Sequence, residues 1–82
     1  MLNVYVVTQV KSANGRADMV VFMPNAIYVI ELKINGTAQD ALNQINTLSY
    51  AAPYATDPRR VVKVGIGFSV KERAMTDYVI EN

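Results

Sequence analysis

Two carboxylates and one ammonium group carry most of the chemistry that this sequence could perform. Asp18 ends the stretch GRAD, and Glu31 and Lys33 are separated by one residue in the apolar run YVIELKI. The chain has no histidine and no cysteine, which excludes imidazole bases, thiol nucleophiles and cysteine-ligated zinc. Any reaction must therefore use carboxylates, lysine, hydroxyl groups or a hard metal ion bound by oxygen atoms.

The register of a predicted hairpin brings these charges together. If the turn centres on Pro24 and Asn25, the residues before it pair antiparallel with those after it, and Asp18 stands directly opposite Glu31. Side chains paired in this way have Cβ atoms about 5 Å apart. Lys33 lies two residues beyond Glu31 and therefore projects from the same face of the sheet.

Two carboxylates that face each other in a partly buried sheet repel one another. Like charges about 4 Å apart cost roughly 4 kcal/mol at an effective dielectric constant of about 20. A divalent cation with oxygen ligands would compensate for this repulsion. The alternative is a plain salt bridge between Glu31 and Lys33, with Asp18 in water at the strand edge, and a β-bulge would spoil the register. The spacing leaves both interpretations open.

The elements that must position these groups follow the order β-β-β-α-β. Thr37 and Asp40 resemble a capping box at the start of an amphipathic helix. A helix between the third and fourth strands predicts that these strands run parallel, with the apolar third strand central. The sequence thus predicts an α/β fold with a mixed sheet of four to five strands. The predicted strands are 3–10, 16–23, 26–34, 61–69 and a short fifth at 77–81, and the helix is 38–49.

Length, charge and composition narrow the class of protein. The 82 residues can form one small domain, and the early entry into a strand predicts a fragment of a longer polypeptide. The net charge of +1 does not indicate the strongly basic surface that is typical of proteins that bind nucleic acid. No apolar run approaches the roughly 18 residues that span a bilayer. The lack of cysteine is compatible with a reducing compartment, so we expect a cytoplasmic location.

Glycines and basic residues late in the chain each have two interpretations. Gly65 and Gly67 could form a phosphate loop, but no helix follows directly, so close packing of the crossover helix is favoured. Arg59, Arg60 and Lys63 could contact a nucleic-acid backbone, although a solvated loop is the more common role for such residues.

Five motifs occur in order along the chain: GRAD, IYVIELK, ALNQI, Tyr50 and KVGIGFS. Together they resemble the PD-(D/E)XK nuclease superfamily in a divergent form. More narrowly, residues 15–81 resemble the nuclease-like domain found C-terminal to AAA-ATPase-like domains in bacterial proteins. The resemblance implies a restriction-endonuclease-like core, here lacking its opening helix, in which a mixed sheet is flanked by helices.

The resemblance also implies Mg²⁺-dependent hydrolysis of phosphodiester bonds in nucleic acid, with DNA as the expected substrate and Mn²⁺ as a substitute ion. Asp18 and Glu31 would be metal ligands, together with the backbone carbonyl of Leu32. Lys33 would orient or activate the attacking water and stabilise developing phosphate charge, and Gln44 would help to position water or substrate. Hard oxygen ligands of this kind suit Mg²⁺ and need no histidine.

Departures from the family pattern favour an alternative, a catalytically degenerate nuclease fold that serves as a binding or assembly module. Gln9 stands where the family often has glutamate, Leu48 where lysine is common, and Ser49 where a glycine usually precedes the tyrosine. The opening helix of the superfamily is missing as well. Asp18, Glu31 and Lys33 are intact, which favours a catalytically active nuclease.

The predicted sheet has apolar residues on both faces, but the sequence offers one clear helix to cover them. A bare apolar face would exceed the few hundred Å² that soluble monomers usually expose. We therefore expect a homodimer, or docking to an ATPase-like domain of the full-length chain. The alternative is that the loop 52–60 or the tail 71–82 folds back across the bare face.

Overall fold

The computed structural model describes residues 4–12 and 15–82, and it places five strands in one mixed sheet, in the order in which they occur along the chain. Within these residues one α-helix connects the third strand to the fourth, and a 3₁₀ turn (Ala52–Tyr54) follows it. The elements are β1 (Tyr5–Ser12), β2 (Gly15–Met23), β3 (Ala26–Ile34), α1 (Ala38–Thr47), β4 (Arg60–Ser69) and β5 (Ala74–Glu81).

The pairing of the strands confirms the predicted α/β architecture. β1, β2 and β3 form an antiparallel meander, β3 and β4 run parallel, and β5 returns antiparallel to β4. β3 is therefore the central strand, as its apolar composition predicts. β5 begins at Ala74, earlier than predicted, because a short turn leads from β4 straight into a hairpin.

The β2–β3 hairpin has the register that the sequence predicts. Met23 pairs with Ala26 next to the turn at 24–25, and the pairing continues in step to Met19 and Ile30. Because side chains alternate along a strand, this register places the acidic residues of both strands on the face that also carries the core.

The hydrophobic core lies between α1 and one face of the sheet. Val20, Ile27 and Val29 are fully buried on that face, and Ile45 of α1 and Tyr50 pack against them. A stripe of small and aliphatic residues on one side of α1 explains this docking, because burial of apolar surface stabilises an amphipathic helix.

The carboxylates of Asp40, in a capping box, and of Asp77 fix the start of α1. Thr37 and Asp40 form the predicted capping box, in which the Thr37 hydroxyl accepts from the Asp40 N–H at 3.0 Å. Asp77 of β5 also accepts from the backbone N–H of Ala38, at 3.3 Å, where the helix dipole favours negative charge. Gly67 leaves room for this contact, since a Cβ there would lie 2.3 Å from Oδ1 of Asp77.

Helix α1 ends at Thr47 rather than at the predicted residue 49. Leu48 is the C-cap, and Ser49 adopts the left-handed conformation with φ of 54°. A residue in this conformation cannot continue a right-handed helix, so the chain reverses there.

Gly65 marks the closest approach of α1 to the sheet. A Cβ on Gly65 would lie 2.3 Å from the backbone oxygen of Ala38 and 2.7 Å from the backbone nitrogen of Leu42. The favoured interpretation of this glycine, helix packing rather than a phosphate loop, is therefore confirmed.

We expect Gly65→Ala to lower the free energy of unfolding by about 1–3 kcal/mol, because α1 must move away from the added methyl group. Gly36→Ala is the control, since its Cβ would approach side-chain atoms and no helix backbone: its neighbours are Lys33, with Cβ at 3.2 Å, and Asp40, with Oδ2 at 3.9 Å. Urea unfolding of both variants measures the difference. Equal stability of Gly65→Ala and the wild type would contradict the close helix contact.

The opposite face of the sheet carries no helix within the part of the chain that the structure describes. The two segments that could cover this face lie elsewhere: Tyr54 packs edge-on against Phe22 on the core side, with ring centroids 5.6 Å apart, and 74–81 form β5. The alternative in which the loop 52–60 or the tail 71–82 crosses the bare face is therefore wrong. Exposed apolar side chains on this face are Val6, Leu32, Ile34, Met75, Tyr78 and Ile80.

Candidate metal centre

Asp18 and Glu31 lie side by side where β2 separates from β3. The backbone N–H of Asp18 donates to Oε1 of Glu31 at 3.3 Å, and the backbone N–H of Leu32 donates to Oδ2 of Asp18 at 2.7 Å. The backbone pairing of the two strands ends one residue earlier, at Met19 and Ile30. A side-chain carboxylate thus replaces the neighbouring strand as the partner of the Leu32 N–H.

Leu32 also presents an oxygen atom to this edge of β3. In an extended strand the N–H and the C=O of one residue point to the same side. The Leu32 carbonyl therefore lies on the edge at which Asp18 accepts the Leu32 N–H. Two carboxylates and one backbone carbonyl are brought together by this local separation of the strands.

Gln44 of α1 links Glu31 with Lys33. Its amide nitrogen donates to Oε2 of Glu31, and its amide oxygen accepts from Nζ of Lys33. The same nitrogen donates to the hydroxyl of Tyr50 at 3.1 Å. The direct salt bridge between Glu31 and Lys33 that the spacing allowed is wrong, because Gln44 lies between the two groups. The ion pairs among the described side chains are Asp57–Arg59 and Lys63–Glu81.

Burial and a neighbouring charge change the acidity of Glu31. Only 4% of its surface is exposed. Desolvation, together with the negative charge of Asp18, raises the pKa of Glu31 from 4.5 to about 7, although the Asp18 N–H and the Lys33 ammonium act in the opposite direction. Near neutral pH, Glu31 therefore carries a proton for a large fraction of the time when no metal is bound.

This shift predicts that the metal-free domain loses stability as the pH rises. Between pH 4.5, the ordinary pKa of Glu31, and pH 7, its pKa in the folded protein, the folded state binds more protons than the unfolded state. The free energy of unfolding therefore falls with increasing pH across this window, by roughly 3 kcal/mol in total. In Glu31→Gln this contribution is absent.

Urea unfolding at pH 5 and at pH 8, with a chelator present, tests this prediction. The difference in stability between Glu31→Gln and the wild type should be larger at pH 8 than at pH 5. A difference that is the same at both pH values would contradict the raised pKa of Glu31.

A family model described as the PD-(D/E)XK nuclease superfamily matches residues 1–78. The chain belongs to the PD-(D/E)XK nuclease superfamily. Its mixed five-stranded sheet, with α1 between β3 and β4, is consistent with a restriction-endonuclease-like core. No curated protein and no solved structure matches the chain.

PD-(D/E)XK nucleases generally use Mg²⁺ or Mn²⁺, and the donor set of this domain fits such an ion. No group of three or more Asp, Glu, His or Cys side chains comes together within the described residues. The set is instead Asp18, Glu31 and the carbonyl of Leu32, all oxygen donors. Mg²⁺ usually keeps several waters and takes only one or two carboxylates from the protein, so three donors are sufficient.

The PD-(D/E)XK domain gathers all the site residues that the sequence predicts. Asp18, Glu31 and Leu32 meet at the edge of β3, and Lys33 and Gln44 adjoin them through one amide group. The hydroxyl of Tyr50 is the partner that sequence reasoning missed, because a tyrosine at a helix end is more often a packing residue.

Two basic residues outside this PD-(D/E)XK site, Arg59 and Lys63, are engaged elsewhere. Arg59 binds Asp57 at 2.8 Å and lies over the Phe22 ring, and hydrogen bonds from Arg59 lower the pKa of Asp57 to about 2. Lys63 donates to Asn46 at 2.7 Å. The side chain of Gln9 lies outside the described residues. Among the described residues, no helix is long and apolar enough to cross a membrane.

Proposed function

We propose that this domain is a metal-dependent nuclease that hydrolyses phosphodiester bonds of DNA. The observation that supports this best is the buried carboxylate of Glu31 set beside Asp18, with Lys33 held on the same face by Gln44. A buried, strongly perturbed carboxylate beside a second acid is typical of a functional site. Membership of the nuclease superfamily supports the same chemistry.

In this proposal Asp18, Glu31 and the Leu32 carbonyl hold one Mg²⁺ ion. When bound, the ion supplies positive charge that stabilises the phosphate oxygens. Lys33 donates hydrogen bonds to a phosphate oxygen or to the attacking water, and so stabilises the negative charge that develops as the phosphodiester bond breaks. Gln44 keeps the ammonium group in place through its amide oxygen.

Cleavage of labelled nucleic acids tests the proposal. Single-stranded and double-stranded DNA and RNA are incubated with the domain in Mg²⁺, in Mn²⁺ and in a chelator. We expect cleavage of DNA that requires the metal and is absent from Asp18→Asn. Activity that persists in the chelator, or that Asp18→Asn retains, would contradict the proposed site.

A binding or assembly module is the second candidate function, and Leu48 is the observation that favours it. Leu48 is half-buried and packs against the hydrophobic core. A leucine at this position, one turn beyond Gln44, offers no cation where the family commonly has lysine. Binding of nucleic acid without any cleavage, in a domain shown to bind Mn²⁺, would support the module and overturn the nuclease.

We further propose that the domain forms a homodimer through the helix-free face of the sheet. Register places one charged residue, Arg60, on the described part of this face, at the very start of β4. The domain measures 38 × 32 × 20 Å, so the face has room for the roughly 800 Å² that each partner buries in a standard interface. A second copy offers an equally apolar surface, which a two-fold axis pairs with itself.

Light scattering at micromolar concentration should give twice the 9.1 kDa mass of the chain. Ile80→Lys should yield monomers, because it places a charge on the paired face. The control is Val70→Lys, which has the same 55% exposure but lies in the turn after β4. A monomeric wild type would contradict the homodimer. The proposal would then be that an ATPase-like domain docks on the helix-free face of the sheet.

A further inference from the structure

We propose that Tyr50 is a positioning residue whose hydroxyl anchors the amide group of Gln44. This inference rests on the proposed function for its kinetic consequence only, because the anchoring itself is a property of the metal-free domain. Gln44 offers its amide oxygen to Lys33 and its amide nitrogen to Glu31, so its position sets the distance between the ammonium and the buried carboxylate.

The end of α1 brings Tyr50 back toward the site. The backbone N–H of Tyr50 donates to the carbonyl of Ile45 at 3.0 Å, and that of Ser49 donates to Asn46 at 3.3 Å. These two bonds, with Ser49 in the left-handed conformation, form a Schellman motif. Tyr50 then packs against Ile45 in the core with 4% exposure, and its hydroxyl lies 3.1 Å from the amide nitrogen of Gln44.

Tyr50 differs from the other partners of Gln44 because it has no other role in the proposed reaction. Lys33 is half-buried and has a long, flexible side chain, and Glu31 must present its oxygens to a metal ion in the proposed reaction. The ring of Tyr50 is held by the packed core, where side chains keep single rotamers. A glutamine has three rotatable bonds, and a fixed third partner restricts them before substrate arrives.

The hydroxyl of Tyr50 is therefore the fixed point from which Gln44 positions Lys33. Removing it leaves the packing of the ring intact but takes away one of the three partners that hold the amide of Gln44. Because a displacement of about 1 Å in a catalytic group can cost about 100-fold in rate, loss of this anchor should lower turnover without abolishing metal binding.

Tyr50→Phe tests the inference, with Tyr54→Phe as the matched control. Tyr54 lies in the same cluster and loses the same hydroxyl group, but it is the hydroxyl of Tyr50 that accepts the hydrogen bond from Gln44. The side-chain amide signals of Gln44, assigned by their loss in Gln44→Ala, report the anchor by NMR. In Tyr50→Phe we expect these signals to shift toward those of the exposed Gln39 and to exchange several times faster with solvent. In Tyr54→Phe they should remain unchanged.

A measurement on the wild type gives a second readout that does not depend on the folding of Tyr50→Phe. The contact predicts a nuclear Overhauser effect between the Gln44 side-chain amide protons and the ring protons next to the Tyr50 hydroxyl. Its absence would overturn the inference, and so would unchanged Gln44 amide signals in folded Tyr50→Phe.

Kinetics separate this inference from the proposed function. We expect Tyr50→Phe to lower kcat by roughly 10- to 100-fold, with KM and the Kd for Mn²⁺ close to those of the wild type and of Tyr54→Phe. If the wild type cleaves nucleic acid and Tyr50→Phe has the same kcat, the positioning role is wrong. If the wild type cleaves nothing, only the nuclease proposal is wrong. The NMR signals of the Gln44 amide then still show whether Tyr50 anchors this group.

Discussion

Replacing Lys33 with alanine is expected to lower the turnover of nucleic acid cleavage by about 10²–10⁴-fold while Mn²⁺ still binds. Lys33 is half-buried and donates to the amide oxygen of Gln44, which itself donates to Glu31. The ammonium is thereby held beside the carboxylates without binding them. Its removal takes away a positioned cation at the reacting phosphate but leaves the oxygen donors of the metal site in place.

Lys63→Ala is the matched control for this prediction. Lys63 projects from the same face of the sheet on β4, but its ammonium binds Asn46 and Glu81, away from the site. Turnover of Lys63→Ala should remain near that of the wild type. Initial rates at saturating substrate and calorimetric titration with Mn²⁺ measure the two effects. Equal residual activity in Lys33→Ala and the wild type would point to a contaminating nuclease.

Asp18→Asn is expected to raise the Tm of the metal-free domain and to abolish any increase in Tm caused by Mg²⁺ or Mn²⁺. The substitution removes the charge that faces buried Glu31, while its remaining oxygen can still accept from the Leu32 N–H, as Asp18 does at 2.7 Å. In the wild type, an ion at 100 times its Kd should stabilise the fold by about 2.7 kcal/mol.

The control for Asp18→Asn is Glu72→Gln, which removes the same charge from an exposed turn between β4 and β5. Thermal unfolding with a chelator and with millimolar Mn²⁺ compares the three proteins. Glu72→Gln should behave as the wild type in both conditions. The metal-site proposal is wrong if the wild type gains nothing from Mn²⁺ and Asp18→Asn leaves the metal-free Tm unchanged.

The sequence by itself determined that Asp18, Glu31 and Lys33 share one face of the sheet. Strand geometry alternates side chains with a period of two residues, so a single turn at 24–25 was enough to set Asp18 opposite Glu31 and to place Lys33 on the same face. The helix between β3 and β4 likewise implied their parallel pairing, because parallel neighbours require a crossover connection. These are local rules, and the chain follows them.

Contacts between distant segments could not be predicted in this way. The carboxylate of Asp77 at the start of α1 depends on the hairpin of β4 and β5 and on the space that Gly67 leaves. The hydrogen bond between Gln44 and the Tyr50 hydroxyl depends on the left-handed backbone conformation of Ser49. Neither follows from periodicity, because each requires the position of one element relative to another.

Only the tertiary structure decided the electrostatics of the site. The sequence left open a direct salt bridge between Glu31 and Lys33, and the structure places Gln44 between them. Packing of α1 over the sheet leaves Glu31 only 4% exposed, and this burial, with the charge of Asp18, is what raises its pKa to about 7. Spacing along a strand determines which charged groups lie close together. The free-energy cost of that arrangement depends on how far the packed helix excludes water from them.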